Sequence, residues 1–235
     1  MNYFYSSGAM GYLGEGYLWH KLFNFPKLPL VTKTITRYPK RGNPWLVVPM
    51  GKSVYNRVAL NNKGIEYWLK QVYNKDLSNI TVSLAGTDDE IQYMVDMLET
   101  LEDLKSIELN FSCPNVADHR NKWLPLTTKK LYLKLNYTQS PYLYDVTRIS
   151  GVRVNSIPVK LGGMSGKAAQ KKNWAYIHHY ISQGLNVAGC SFTSLDDIKR
   201  LKDMGCKEIG IGSTMLTNPK LIEKLMETIH GNTKT

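Results

Sequence analysis

Apolar positions along this chain recur at two spacings in turn, two residues apart and then three to four, and the alternation predicts a series of strands and helices. A short first strand falls at residues 3–6 and a second, rich in β-branched residues, at 30–36. Residues 64–75 place Ile65, Trp68, Leu69 and Val72 on one helical face, and a third strand follows at 80–84. The next helix, 88–101, opens with Thr87 as N-cap and Glu90 three residues on, the pattern of a capping box. A fourth strand at 106–109 runs into a polar turn, and strands five and six fall at 131–135 and 152–155. A long helix at 167–183, a seventh strand at 186–188 and a helix at 194–204 ended by Gly205 come next. An eighth strand at 209–211 and a closing helix at 219–229 complete the series. Strands alternating with helices favour a parallel sheet, and eight such units favour a closed α/β barrel of the (β/α)8, or TIM, type.

Two connections are too short for that plan. Residues 116–130 are interrupted by Pro125 and residues 136–151 by Pro141, so the helices after strands four and five should be shortened or missing. The expected fold is therefore a pared-down barrel in one domain, 1–235, whose stripped flank needs cover from loops, a second subunit or another partner. No apolar run approaches the roughly 20 residues that span a bilayer, and the first ten residues lack the layout of a secretion signal, which points to a cytoplasmic protein with no membrane contact. Cys113, Cys190 and Cys206 lie far apart with no CxxC pair, so neither a metal site nor a disulfide framework is expected. The net charge of +11 comes from scattered Lys and Arg. It reads as solvated surface or as attraction of anions; nucleic acid would explain the excess most directly.

The densest chemistry lies at Ile107-Glu108-Leu109-Asn110-Phe111-Ser112-Cys113-Pro114-Asn115. Pro114 stops the strand and pins the turn, leaving amides and a thiol at a strand's carboxyl end, where α/β barrels keep their active sites. By itself the turn reads equally well as one that holds a cysteine for packing. The stretch resembles the dihydroorotate dehydrogenases, flavin enzymes of pyrimidine biosynthesis that carry Asn-hydrophobic-Ser-Cys/Ser-Pro-Asn here. Further similar segments follow the family's order: Ser6-Ser7-Gly8, Val31 to Thr36, Gly42-Asn43-Pro44, Asn56 to Leu60, Lys134-Leu135, Asn155-Ser156, Gly162 to Gly166 and Gly212-Ser213.

The resemblance implies FMN-dependent oxidation of dihydroorotate to orotate, with Cys113 as the base that removes the C5 proton and a hydride passing from C6 to flavin N5. A cysteine rather than a serine base resembles the family's soluble class. Lys33, an inward charge in a β-branched run, needs an anionic or carbonyl partner or a route to water; the resemblance places it beside both flavin and substrate. Lys134 would contact the flavin. Asn56, Asn110, Asn115, Asn155 and Ser156 would cage the substrate, with Ala59 and Leu60 in the substrate loop. Ser6, Ser7, Gly8, Thr34 and Asn110 would line the cofactor. Glycine-rich turns at Gly163-Met164-Ser165-Gly166 and Gly212-Ser213 would cradle its phosphate.

The chain also departs from the family's pattern. Cys190-Ser191 stands where relatives have a Gly pair, Ala59 replaces a glycine, and Trp45-Leu46 follows Gly-Asn-Pro in place of an arginine. Two alternatives stay open: a non-catalytic relative serving as a structural or polyanion-binding subunit, and a dihydrouridine-synthase-like flavin enzyme acting on tRNA. Fumarate is the expected electron acceptor of a stand-alone enzyme, NAD through a partner subunit being the other possibility, and relatives of this kind are dimers.

Overall fold

A computed structural model describes residues 1–43, 46–112, 123–154 and 156–231 of the chain. Its elements follow the order β1 (Asn2–Tyr5), β2 (Leu30–Val31), β3 (Val47–Met50), β4 (Ser53–Asn56), α1 (Ile65–Val72), β5 (Ile80–Leu84), α2 (Asp88–Glu99) and β6 (Ser106–Asn110). Then come β7 (Lys130–Leu135), β8 (Gly151–Val154), β9 (Ile157–Val159), β10 (Gly162–Gly166), α3 (Lys167–Ser182), β11 (Val187–Ala188), α4 (Leu195–Asp203), β12 (Glu208–Ile211), α5 (Thr214–Thr217) and α6 (Pro219–Gly231).

Eight of the strands form a parallel sheet in the order β11-β8-β7-β6-β5-β2-β1-β12. A bridge between Gly189 and Ile209 joins its two ends, with Gly189 N donating to Glu208 O and Gly210 N to Gly189 O, so the sheet closes into a barrel. The second strand is shorter than the run of β-branched residues suggests: pairing holds at Leu30 and Val31, lapses, and returns once at Ile35 against Leu84.

The period-2 pattern sorts side chains between two environments. Val82, Leu84, Ile107, Leu109, Leu131, Leu133 and Leu135 join the main apolar core outside the barrel, packed with the helices. Phe4, Val31 and Ala188 form a separate small cluster inside it. Helix α2 shows why the outer layer is stable. Ile91, Met94, Val95 and Leu98 recur at helical spacing and are wholly buried, each such side chain contributing roughly 1.5–3 kcal/mol. The capping box forms as the sequence predicts: Glu90 N donates to Thr87 Oγ1, and Thr87 N donates to Glu90 Oε2.

Both shortened connections lack long helices among the described residues. Residues 136–151 make two 3-10 turns, Pro141–Leu143 and Val146–Arg148, and residues 123–129 form no helix. The loops cover part of the flank themselves. Tyr144 stacks on Phe111 with ring centroids 5.2 Å apart, and Arg148 ties the two loops by donating to the carbonyls of Leu124 and Pro125 at 3.4 and 2.6 Å. Leu126 remains 76% exposed, with Tyr142 and Leu143 about half so.

The pattern of the sequence did not suggest the second sheet, antiparallel in the order β3-β4-β10-β9, which sits beside the barrel. Its signal is masked by Pro49 and Pro158, which count against strands; both lie in the sheet's edge strands, where a missing N–H is tolerated. This sheet corrects the expected glycine-rich turn. Gly163, Met164 and Ser165 are paired strand residues rather than a turn, and only Gly166, at φ +71°, turns the chain into α3.

Between β1 and β2 the chain folds on His20. Its Nδ1 accepts from Tyr17 N at 3.0 Å, while its ring packs 3.9 Å from Trp19 and 5.2 Å from Phe25. Its Nε2 is buried without a partner, and burial lowers the pKa below the ordinary 6.5. The unfolded chain therefore binds a proton more readily than the folded one. His20's contribution is complete above pH 6.5 and is lost as pH falls through the lowered folded value. Urea midpoints at about pH 7.5 and about pH 5 should show this loss, and His20→Phe should flatten it; an equal drop in both proteins would contradict the assignment.

Candidate active site

The carboxyl ends of the barrel strands carry most of the predicted site. Register aligns Asn110 with Lys134 and Lys134 with Arg153 across β6, β7 and β8. Lys33, just past β2, is half-buried; its Nζ donates to Asn61 Oδ1 at 3.2 Å, and burial lowers its pKa against an opposing pull from Glu15. Lys33 and Lys134 thus both lie toward the carboxyl ends of barrel strands. Cys113, Asn115 and Asn155 lie outside the described residues.

A chain of hydrogen bonds runs from the mouth into the barrel, and its polarity follows from its far end. Glu108 can only accept, so Ser83 Oγ donates to its Oε1 at 2.9 Å. Ser83 Oγ must then accept from Thr34 Oγ1 at 3.0 Å, which leaves Thr34 Oγ1 to accept from Asn110 Nδ2 at 2.9 Å. Ser112 Oγ donates to Asn110 Oδ1 at 2.8 Å, so the Asn110 amide has one orientation. Ser7 Oγ donates to Thr32 O at 3.0 Å and lies 3.2 Å from Thr34 Oγ1. Beyond Glu108 the chain ends in charge: Arg153 Nη1 lies 3.2 Å from Oε2 and Lys134 Nζ 3.8 Å from Oε1. A cavity of about 30 Å³, lined among others by Ser6, Ser7, Lys134, Arg153 and Gly210, adjoins these groups; it has room for water but not for a larger ligand.

Sequence reading missed Glu108, Arg153, Ser83 and Asn61. Their signal was present, since Glu108 and Arg153 interrupt apolar runs at positions the alternation turns inward. What alternation cannot say is which strands carry them side by side.

The remaining candidates fall around the mouth in two groups. Asn56 ends β4, its Nδ2 donating to Gly163 O at 3.4 Å, and a Cβ on Gly163 would come within 2.6 Å of Ser156 Oγ, so Asn56, Ser156 and Gly163 sit together. Ser165 is turned back onto β4, its Oγ donating to Val54 O at 3.3 Å. On the other side, a Cβ on Gly166 would stand 3.3 Å from Ser213 Oγ, and one on Gly212 3.5 Å from Ser6 Cβ. Gly8 packs on Lys33. Two of the positions that depart from glycine keep a glycine-like backbone, Ser191 at φ 59° and Ala59 at φ 53°, while Cys190 does not; Leu60, next to Ala59, also has φ 55°. L-residues take that region at a cost of roughly 1–2 kcal/mol, which the surroundings offset. At Ser191 they include bonds from Asn173 Nδ2 to Ser191 Oγ and from Gln170 Nε2 to Ser191 O. Cys190 is partly buried, and desolvation pushes its thiol pKa up to about 11, so it is held as a neutral thiol. Among the described residues no group of His, Cys, Asp and Glu is placed to hold a metal, and no helix is long and apolar enough to cross a membrane.

Fold and mouth together define an α/β barrel whose mouth lies over a charged, hydrogen-bonded interior. The comparisons make this specific. The family model of dihydroorotate dehydrogenase matches residues 5–134, and the chain belongs to that family. The catalytic subunit of dihydroorotate dehydrogenase B (NAD(+)) from Carboxydothermus hydrogenoformans is 35% identical over 59% of this chain, a match that spans only 50% of that protein's length. The protein of the same name from Malacoplasma penetrans is 22% identical over 94% of this chain and 86% of its own. The fold is that of the ligand-free DHODH of Eimeria tenella, with a TM-score of 0.71 at 14% identity, over 96% of this chain and 82% of that one.

The directed hydrogen-bond chain has a measurable consequence. Ser83→Ala should leave a Glu108 oxygen and the Thr34 hydroxyl short of a partner and cost about 1–3 kcal/mol in urea unfolding. A change within about 0.5 kcal/mol would mean that the chain is not continuous.

Proposed function

We propose that the chain is an FMN-dependent dihydroorotate dehydrogenase. The observation that carries this reading is that Lys33, Lys134 and the fixed Asn110 amide stand at or just past the carboxyl ends of barrel strands β2, β7 and β6, in a member of this family. The donor set suits FMN: a flavin's pyrimidine edge is rich in acceptors and its phosphate is anionic, while the mouth offers cations, hydroxyls and amides. Lys134, Ser6, Ser7, Gly8 and Thr34 would hold the cofactor, with Gly166, Ser191, Gly212 and Ser213 toward the phosphate. When bound, FMN supplies the two-electron oxidant that takes the C6 hydrogen of dihydroorotate with its electron pair.

The chain's own residues supply the rest. Cys113 follows Asn110 and Ser112 by one to three residues and would remove the C5 proton, for which a thiol's reference pKa needs only modest lowering. Asn110, its amide oriented by Thr34 and Ser112, would fix the substrate ring in company with Asn56, Asn115, Asn155 and Ser156. Lys33 would meet the substrate's carboxylate or a ring carbonyl beside the cofactor. The names of the relatives, a catalytic subunit of an NAD(+) enzyme, favour NAD(+) reached through a second subunit over fumarate as final acceptor. The partly bare flank at Leu126, Tyr142 and Leu143 leaves apolar surface for a homodimer or another subunit.

Anaerobic mixing of the FMN-loaded protein with dihydroorotate tests the reading. Wild type should bleach the flavin absorbance. Cys113→Ala should slow bleaching by about 10²–10⁴-fold, the usual worth of a positioned base, with Cys113→Ser in between. FMN binding without any bleaching would instead support a non-catalytic member of the family. Bleaching by Cys113→Ala at the wild-type rate would remove Cys113 from the role of base.

A further inference from the structure

Arg153 lies inside the barrel, 8% exposed, where the alternation of β8 turns it inward. Its guanidinium carbon stands 4.4 Å from the Phe4 ring centroid and 4.0 Å from that of Tyr132, so the group is clasped from two sides. Its Nε is buried and has no hydrogen-bond partner; its Nη1 is bonded to Glu108 Oε2 at 3.2 Å. The other oxygen of Glu108 accepts from Ser83 at 2.9 Å and faces Lys134 Nζ at 3.8 Å, beyond the 2.7–2.9 Å of a charge-assisted bond. One buried carboxylate therefore serves two cations and is closer to Arg153. The three groups together carry an excess of one positive charge in a buried site, where charge acts more strongly than in water, and the Glu208 carboxylate beside Tyr132 is the next negative charge.

We propose that Arg153 is a positioning residue for Lys134: by engaging the other oxygen of Glu108, it loosens the carboxylate's hold on Lys134 and keeps the charge beneath the mouth more positive. The mouth thereby favours ligands that carry or gain negative charge, and a bound flavin is easier to reduce. The second consequence rests on the function proposed above; the first does not.

Four proteins test this: wild type, Arg153→Met, Arg153→Lys and the double variant Arg153→Met/Glu108→Gln. In cofactor-free protein with isotope-labelled lysine, NMR follows the proton titration of Lys134. Arg153→Met hands Glu108 to Lys134, so the ammonium should hold its proton about tenfold more tightly, a rise of about one pH unit. Arg153→Lys should titrate near wild type, and the double variant should return toward it, because no carboxylate remains to capture Lys134. In FMN-loaded protein, Arg153→Met should lower the equilibrium constant for cofactor reduction about tenfold, or about 30 mV for a two-electron couple, and the double variant should recover it. A purely structural arginine would change stability and leave both readouts in place.

If Arg153→Met does not fold, the double variant, which leaves no unpaired buried carboxylate, is compared with Glu108→Gln alone. Both should titrate Lys134 at or below the wild-type value, and a higher value in either overturns the proposal. An unchanged titration in folded Arg153→Met overturns it as well. Failure of wild type to take up FMN would overturn the proposed function, while the Lys134 titration still decides the role of Arg153.

Discussion

A carboxylate inside a barrel is the constraint on which the rest of this structure depends. Glu108 is 1% exposed, and an ionised group so placed survives only when paired and fully hydrogen-bonded. Each neighbour can be read as an answer to that demand. Ser83 gives it a hydrogen bond, Arg153 and Lys134 give it opposite charge, and Phe4 and Tyr132 hold Arg153 in place. Because a carboxylate only accepts, the direction of every bond back to the mouth is settled, from Ser83 to Thr34 to Asn110. The orientation of the amide nearest the proposed chemistry is thus fixed from the barrel's interior.

The same division of labour explains how a short chain sustains a barrel. The stability of the sheet comes from its outer surface, where Ile, Leu and Val from β5, β6 and β7 pack with α1 and α2 in one core. The interior is free to be polar because it contributes little to that core. On the flank that lacks long helices, loops take over with specific contacts: the Phe111–Tyr144 stack, the Arg148 bonds to Leu124 and Pro125, and Tyr176 Oη donating to Gln139 O at 3.0 Å. The 136–151 loop bears on Phe111, one residue past β6, through the Tyr144 stack and a bond from Gln139 Nε2 to Phe111 O.

Local physics made much of this legible in the sequence. Period-2 alternation located all eight barrel strands to within a few residues, and Thr87 with Glu90 marked the start of α2. Pro125 and Pro141 marked the two connections, which hold no long helix among the described residues. What escaped were features that depend on strands distant in sequence. The antiparallel sheet pairs residues 53–56 with 163–166, and its edge prolines read as breaks rather than edges. Glu108 and Arg153 are recognisable singly as inward charges, but their pairing is set by β7 lying between β6 and β8. Gly163–Gly166 read as a turn because glycine and serine favour turns; here their small size lets Asn56, Ser156 and Ser213 approach instead.

The central claim is that this charged, hydrogen-bonded mouth is a flavin site. Titration of the purified chain with FMN, followed by quenching of flavin fluorescence, tests it most directly. The account predicts saturation at one FMN per chain, with affinity reduced about tenfold or more in Lys134→Met, since a hydrogen bond to a charged group is worth roughly 1.5–3 kcal/mol. Absence of saturable binding, or binding that Lys134→Met leaves unchanged, would contradict it.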